Sequence, residues 1–101
     1  LQKLSLNILQ NDKNKFHAAW LMTISISNKD YLQKKLNSKN IEANQVHFRN
    51  DRYSIFKKFV KNKKFQNMNS VEKKYLVLPI HTKMTIADAY YVANTINRIL
   101  S

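Results

Sequence analysis

The apolar positions of this 101-residue chain change period several times along its length. In WLMTISIS, residues 20 to 27, they alternate: Trp20, Met22, Ile24 and Ile26 fall on one side, and Thr23, Ser25 and Ser27 on the other. That is the period of a half-buried strand, expected over 20 to 26 with Trp20, Met22 and Ile24 turned inward. The period then becomes helical, with Tyr31, Leu32 and Leu36 as the apolar stripe and Lys34, Lys35 and Lys39 toward water. Ser27 followed by Asp30 reads as a weak capping box opening this helix. Asn40 stands just after it, and Asn is the non-Gly residue best suited to left-handed backbone, so it is expected to end the helix. A second strand is expected to follow, over about residues 42 to 48.

Elsewhere the pattern is shorter. Leu1, Leu4, Ile8 and Leu9 have helical spacing and NDKNK breaks it, which predicts a helix end and then a loop. KKFVKNKKF, residues 57 to 65, follows Phe56, and Phe56, Phe59 and Val60 stand at i, i+3 and i+4, which predicts a helix that buries one face and solvates its lysines. NMNSVEKKY, residues 67 to 75, reads as a turn or short helix leading into a third strand, Tyr75 to Ile80, where Pro79 marks a strand end or an edge. In MTIADAYYVANTINRIL, Thr85 caps, Asp88 completes the box, and Ile86, Ala89, Tyr90, Ala93, Ile96 and Leu100 share a face. The alternation of strand and helix, without repeat or linker, predicts one two-layer α/β (α+β) sandwich.

Composition narrows the chemistry. There is no Cys, hence no disulfide and no thiolate metal site, and a reducing compartment is open to the chain. The longest apolar runs, such as LVLPI at 76 to 80, are far too short to span a bilayer, and no signal-peptide pattern opens the sequence. The absence of Gly excludes Walker loops, GxGxxG turns, the GxSxG nucleophile elbow and the RNA-recognition signature, all of which need positive φ or close backbone approach. His17, His47 and His81 lie too far apart for a ligand-pair motif. The net charge of +12 raises nucleic acid as a partner. Only Arg49, Arg52 and Arg98 are arginines, however, and the abundance of Lys together with Asn fits A/T-rich codons.

One stretch concentrates chemistry. VHFRNDRYSIF, residues 46 to 56, places His47, Arg49, Asn50, Asp51, Arg52 and Tyr53 where the second strand is expected to end. Loops at strand ends are where a rigid framework presents ligand contacts. Each residue also has a structural role open to it: Arg49 and Asp51 as a local ion pair, His47 as a hydrogen-bonded strand end, Tyr53 and Phe56 as a staple for the next helix, Trp20 as core, His81 as an exposed loop residue.

The run HAAWLMTISISNKDYLQKKLNSKNIEANQVHFRNDRYSIF, with LVLPIHTKMTIADAYYVANTI, resembles the C-terminal small domain of the DegT/DnrJ/StrS family of PLP-dependent aminotransferases, which act mostly on nucleotide-linked keto sugars. The H-x-RND-x-Y run is its most specific part, and Asn40 replaces the Gly expected at the helix-ending turn. The resemblance implies the C-terminal domain of a fold-type I enzyme: a small, mostly antiparallel sheet of about three strands with helices largely on one face. Residues 1–16 would be the end of a linker helix and a loop from a preceding large domain, and 17–101 the small domain.

In such enzymes the cofactor, pyridoxal 5'-phosphate, is held as a Schiff base by a Lys of the large domain. No lysine here sits in a recognisable Schiff-base motif, so this chain alone is expected to bind no cofactor and to be non-catalytic. The parent reaction would move an amino group, from glutamate, to a keto sugar nucleotide, with the small domain covering the active site and helping to hold substrate. The implied substrate contacts are His47, Arg49, Asn50, Asp51 and Tyr53, with Arg49, Asn50 and His47 facing the ligand and Asp51 holding an Arg. The implied partners are the large domain of the same protein, the sugar nucleotide and a second copy in a cytoplasmic homodimer, with no metal and no membrane. The alternative is a small basic nucleic-acid-binding module.

Overall fold

In the computed structural model, which describes residues 6–8, 12–18 and 20–101, the alternating segment forms the central strand. The strands are β1 (Asn7–Ile8), β2 (Met22–Ser25) and β3 (Tyr75–Leu78), arranged β1-β2-β3 with both pairings antiparallel. Ile8 lies opposite Ile24, Ile24 opposite Leu76, and Met22 opposite Leu78. That register sends Ile24, Leu76 and Leu78 to the same face, and a slip of one residue would have turned all of them outward. The strand phase is as the alternation predicts, since Ile24 and Ile26 are buried and Met22 is half-buried. Trp20 departs from it: β2 begins only at Met22, and the indole is 73% exposed.

The helices are α1 (Lys29–Asn37), α2 (Lys57–Val60), α3 (Gln66–Glu72) and α4 (Ile86–Leu100). The sheet is small and antiparallel with helices on one face, as the resemblance implies. Leu32 and Leu36 of α1 and Ile96 of α4 close over Ile24, Ile26, Leu76 and Leu78, and Ile41 and Ala43 complete this core. Tyr31, placed on the stripe by its spacing, is 42% exposed. The Ser27–Asp30 capping box does not form; Asn28 occupies the cap without a side-chain bond, and Asp30 accepts from Lys29 Nζ at 2.9 Å instead. Asn40 has φ 58°, the left-handed turn expected of it, and Asn62 does the same after α2 with φ 65°. In a chain without Gly, Asn takes both positions.

The structure corrects the sheet in two places. Residues 42 to 48 are not a regular strand: only Asn44 pairs, forming an isolated antiparallel bridge to Val77 of β3. The backbone N–H of Ala43 donates to Asn37 Oδ1 at 3.0 Å, so a side chain satisfies a group that a ladder would have used, and the Gln45 side chain ties the segment to the Glu72 carbonyl at the end of α3 at 2.8 Å. The third strand lies instead at the other edge, where Asn7 and Ile8 pair with β2 although the spacing there predicts helix. Leu1, Leu4 and Leu9 of that helical pattern lie outside the described residues. β3 stops at Leu78, before Pro79, which lacks the N–H a ladder requires.

Two helical faces also differ from expectation. α2 is a single turn, too short to lay a face on the core, and Phe56 and Phe59 are 42% and 60% exposed beside solvated lysines. On α4 the capping box forms as predicted: Thr85 Oγ1 accepts from the Asp88 N–H at 3.1 Å, and Asp88 Oδ2 accepts from the Thr85 N–H at 2.8 Å. Its packed side is Val92, Thr95, Ile96, Ile99 and Leu100, which keeps Ile96 and Leu100 of the predicted stripe but leaves Ile86, Ala89, Tyr90 and Ala93 exposed. Ile86, Ala89 and Ala93 border an open apolar groove of about 530 Å³, completed by Leu6, Ile8 and Met84.

Candidate functional site

The chain leaves the Asn44 bridge and enters the loop that carries VHFRNDRYSIF. A 3-10 turn over Asn50–Arg52 is closed by Arg52 N–H to the Arg49 carbonyl at 3.1 Å and Tyr53 N–H to the Asn50 carbonyl at 3.2 Å. This reversal puts Arg49 and Asp51 on one side of the chain, and Arg49 is buried.

The Arg49 guanidinium is held from three directions. Its Nε and Nη2 donate to the two carboxylate oxygens of Asp51 at 2.9 and 2.7 Å, and its Nη1 donates to Asn69 Oδ1 and, at 3.1 Å, to Glu72 Oε2. Asn69 and Glu72 both belong to α3, so this side chain ties the loop to the helix. Arg52 makes a second fork onto Glu72, with Nη1 to Oε1 and Nη2 to Oε2 at 2.7 Å. Paired forks of this kind are the geometry in which Arg binds a carboxylate most firmly.

The electrostatics follow from the contacts. Hydrogen bonds from Arg49 hold the Asp51 carboxyl below its ordinary value, against the opposing effect of burial. Burial pushes Glu72 upward, but bonds from Arg49 and Arg52 outweigh it and leave Glu72 lowered. The Asp51 bond raises Arg49 further, so it is charged at any ordinary pH.

The remaining residues of the run face outward. His47, Asn50 and Tyr53 are exposed. The His47 carbonyl accepts from Tyr75 Oη at 3.2 Å, which anchors its backbone to β3, and its ring lies 5.7 Å from that of Trp20 at 45°. Phe48 meets Tyr53 edge to face at 5.0 Å. The structure thus divides the five expected contact residues: His47, Asn50 and Tyr53 are presented to solvent, while Arg49 is turned inward and Asp51 holds it.

Sequence reasoning missed three participants. Asn69 and Glu72 anchor the loop, and a signal existed, since Glu72 is the only acidic residue between Asp51 and Asp88 while two arginines need partners. Trp20, read as core, instead stands exposed beside His47. Together with Glu42, Asn44, Val46, Pro79 and His81 it borders a shallow pocket of about 230 Å³.

A pyridoxal site does not fit these residues. Every described lysine except Lys29 is exposed, and the Lys29 ammonium is engaged by Asp30 and Gln45 at 2.9 and 3.2 Å. A Schiff-base lysine needs a sheltered, desolvated amine. Among the described residues there is also no group of three or more His, Asp or Glu able to hold a metal, and no helix long and apolar enough to cross a membrane.

Comparison with known proteins agrees with the fold. The sugar aminotransferase CalS13 from Micromonospora echinospora superposes with a TM-score of 0.82 at 16% identity, over 97% of this chain and 26% of that one. AtS13 from Actinomadura melliaura gives 0.83 at 22% identity, over 92% of this chain and 24% of that one. The chain therefore spans about a quarter of the length of either. A search of curated proteins finds no match. Residues 1–97 match the sequence model of the DegT/DnrJ/EryC1/StrS aminotransferase family, and the chain belongs to that family.

Proposed function

We propose that this chain is the small domain of a PLP-dependent aminotransferase that moves an amino group from glutamate to a keto sugar nucleotide. Family membership over 97 residues is the observation that carries it. Within that enzyme the chain contributes substrate contacts and shape, while the large domain holds the cofactor that supplies the electron sink. His47, Asn50 and Tyr53 offer exposed donors and acceptors suited to hydroxyls and phosphate oxygens. Arg49 and Asp51 act behind them, holding the loop on α3 so that those groups keep one geometry.

The large domain is the occupant we assign to the apolar groove. Ile86 and Ile8 are 78% and 52% exposed there, a surface that a soluble domain seldom leaves open over such an area. About three quarters of each solved relative lies outside the part this chain matches. The test is amino transfer by the enzyme that contains this chain, supplied with PLP and glutamate. Release of 2-oxoglutarate that depends on a keto sugar nucleotide is expected; release that depends on simple keto acids but not on the sugar nucleotide overturns the assignment.

A further inference from the structure

We propose that the segment from Ile55 to Lys64 is a docking surface for the anionic face of a lipid bilayer, with Ile55 and Phe59 entering the acyl boundary while the lysines meet the headgroup phosphates. Nothing in this depends on the reaction that the large domain performs.

The charge is unopposed. Lys57, Lys58, Lys61, Lys63 and Lys64 are all exposed, and no acidic residue lies between Asp51 and Glu72. Those two flanking carboxylates are taken up by Arg49 and Arg52, and none of the five lysines forms an ion pair among the described residues. A solvated face would account for the lysines alone. It does not account for the apolar side chains set among them.

Ile55 is 73% exposed and Phe59 60%. α2 packs chiefly on the 3-10 turns over Asn50–Arg52 and Ser54–Phe56, and none of its residues joins the core. Ile55 and Val60 line one open groove with Lys57, Lys58 and Lys61, and the Lys58 ammonium stands over the Phe59 ring at 4.9 Å. Apolar and cationic groups therefore emerge on one surface, and a lysine stem can lie along apolar neighbours while its charge reaches outward. A bilayer interface matches both, since acyl chains take up Ile55 and Phe59 and headgroup phosphates take up the lysines. A nucleic-acid duplex supplies the phosphates but no apolar surface for Ile55. A single weak membrane signal gives marginal attachment, whereas an apolar wedge beside a polybasic patch supplies two. This departs from the expectation of no membrane partner: no helix among the described residues can cross a bilayer, and a surface contact requires none.

The test is co-sedimentation of the enzyme that contains this chain with vesicles of phosphatidylcholine alone, and of phosphatidylcholine and phosphatidylglycerol in equal parts, at about 0.15 M salt. Binding is expected to the anionic vesicles and not to the neutral ones. Ile55→Ser with Phe59→Ser should weaken it at least about tenfold. Lys57→Gln, Lys58→Gln and Lys61→Gln together should weaken it about a hundredfold, since each lysine near an anionic surface strengthens binding about fivefold. The same three changes at Lys34, Lys35 and Lys39 of α1, which are also exposed, should cost less than about fivefold. The wild-type comparison of the two vesicles stands even where a variant fails to fold. No sedimentation with the anionic vesicles overturns the proposal and leaves the patch to solvent or to the large domain. Equal sedimentation with both vesicles, or binding indifferent to the Ile55 and Phe59 changes, overturns it as well, the second in favour of diffuse attraction to polyanions. Duplex DNA binding at the same salt that falls tenfold or more with Ile55→Ser and Phe59→Ser would assign the patch to nucleic acid instead. Amino transfer to a keto sugar nucleotide is measured without lipid, so failure here leaves the aminotransferase reading standing.

Discussion

Arg49 and Asp51, two residues apart, face each other as a closed fork, with Nε to Oδ1 at 2.9 Å and Nη2 to Oδ2 at 2.7 Å. The guanidinium is buried and its other edge is bound by Asn69 and Glu72, so removing it leaves the Asp51 carboxylate without its bonded partner, strips Asn69 of its donor and leaves Glu72 to Arg52 alone. Arg49→Ala is expected to lower the melting temperature of the chain by roughly 10 °C or more. Arg49→Lys should recover little, because an ammonium cannot make the fork. Thermal unfolding followed by circular dichroism checks both; an unchanged melting temperature in Arg49→Ala would show that the cluster does not hold the loop.

The same cluster sets an acid limit. Asp51 and Glu72 are held below their ordinary values of 3.8 and 4.5, so in acid the unfolded chain binds more protons than the folded one. Their contribution is complete above the ordinary values and is lost as the pH falls through the lowered folded ones. The melting temperature should therefore be level in this respect down to about pH 5 and drop below about pH 4. In the double variant Asp51→Asn, Glu72→Gln the drop should be shallower from a lower start. Equal slopes in the two proteins would assign the acid loss to other carboxylates.

The parts of the fold that were legible in the sequence are those set by local chemistry. The alternation of Ile24 and Ile26, the Thr85–Asp88 box and the turn at Asn40 depend on neighbours within a few residues, and the structure carries all three. The exposed Trp20 and Phe59 were not legible, because their periodicity says only which side of an element they share, not whether anything covers that side. β1 was hidden for a related reason: two residues are too few to show a period, and their pairing is decided by β2. In the candidate site the composition of the loop was plain, but the partition between Arg49 inward and Asn50 outward was not. That partition is made by Asn69 and Glu72, some twenty residues away.

Asn40 tests the backbone argument by itself. With φ at 58°, it occupies a region where a branched side chain meets its own backbone. Asn40→Val is expected to cost about 1–2 kcal/mol, whereas Asn40→Gly should be tolerated within about 1 kcal/mol. Urea unfolding of the two variants gives the comparison directly. Similar losses for both would mean that the Asn40 side chain, and not its φ, is what the turn needs.

The groove over β1 and α4 makes a prediction about association. Ile86 is 78% exposed and touches little of the core, so Ile86→Asp should change the stability of the isolated chain by less than about 0.5 kcal/mol. Where the proposed large domain covers this face, the same substitution in the longer protein buries a carboxylate against an apolar surface, and a loss of more than about 2 kcal/mol is expected. Denaturant unfolding of both proteins separates the cases. Equal small effects in the two would show that the large domain does not cover this face.

Binding to nucleic acid provides the contrast between the two classes of function. The chain carries +12, and the segment from Lys57 to Lys64 holds five exposed lysines without an acidic residue. Diffuse attraction to polyanions is therefore unavoidable at low salt. Selective readout is another matter, because bidentate contacts to bases come chiefly from arginine. Two of the three arginines are already committed, Arg49 to Asp51 and Glu72, and Arg52 to Glu72. Freeing either would abandon the contacts that hold the loop on α3. Duplex DNA is thus expected to bind weakly, without sequence preference, and to release as the salt is raised toward about 0.15 M, with a steep logarithmic dependence set by counterion release. Electrophoretic mobility shift across a salt series measures it. Submicromolar, sequence-selective binding that survives physiological salt would overturn the aminotransferase reading in favour of a basic nucleic-acid-binding module.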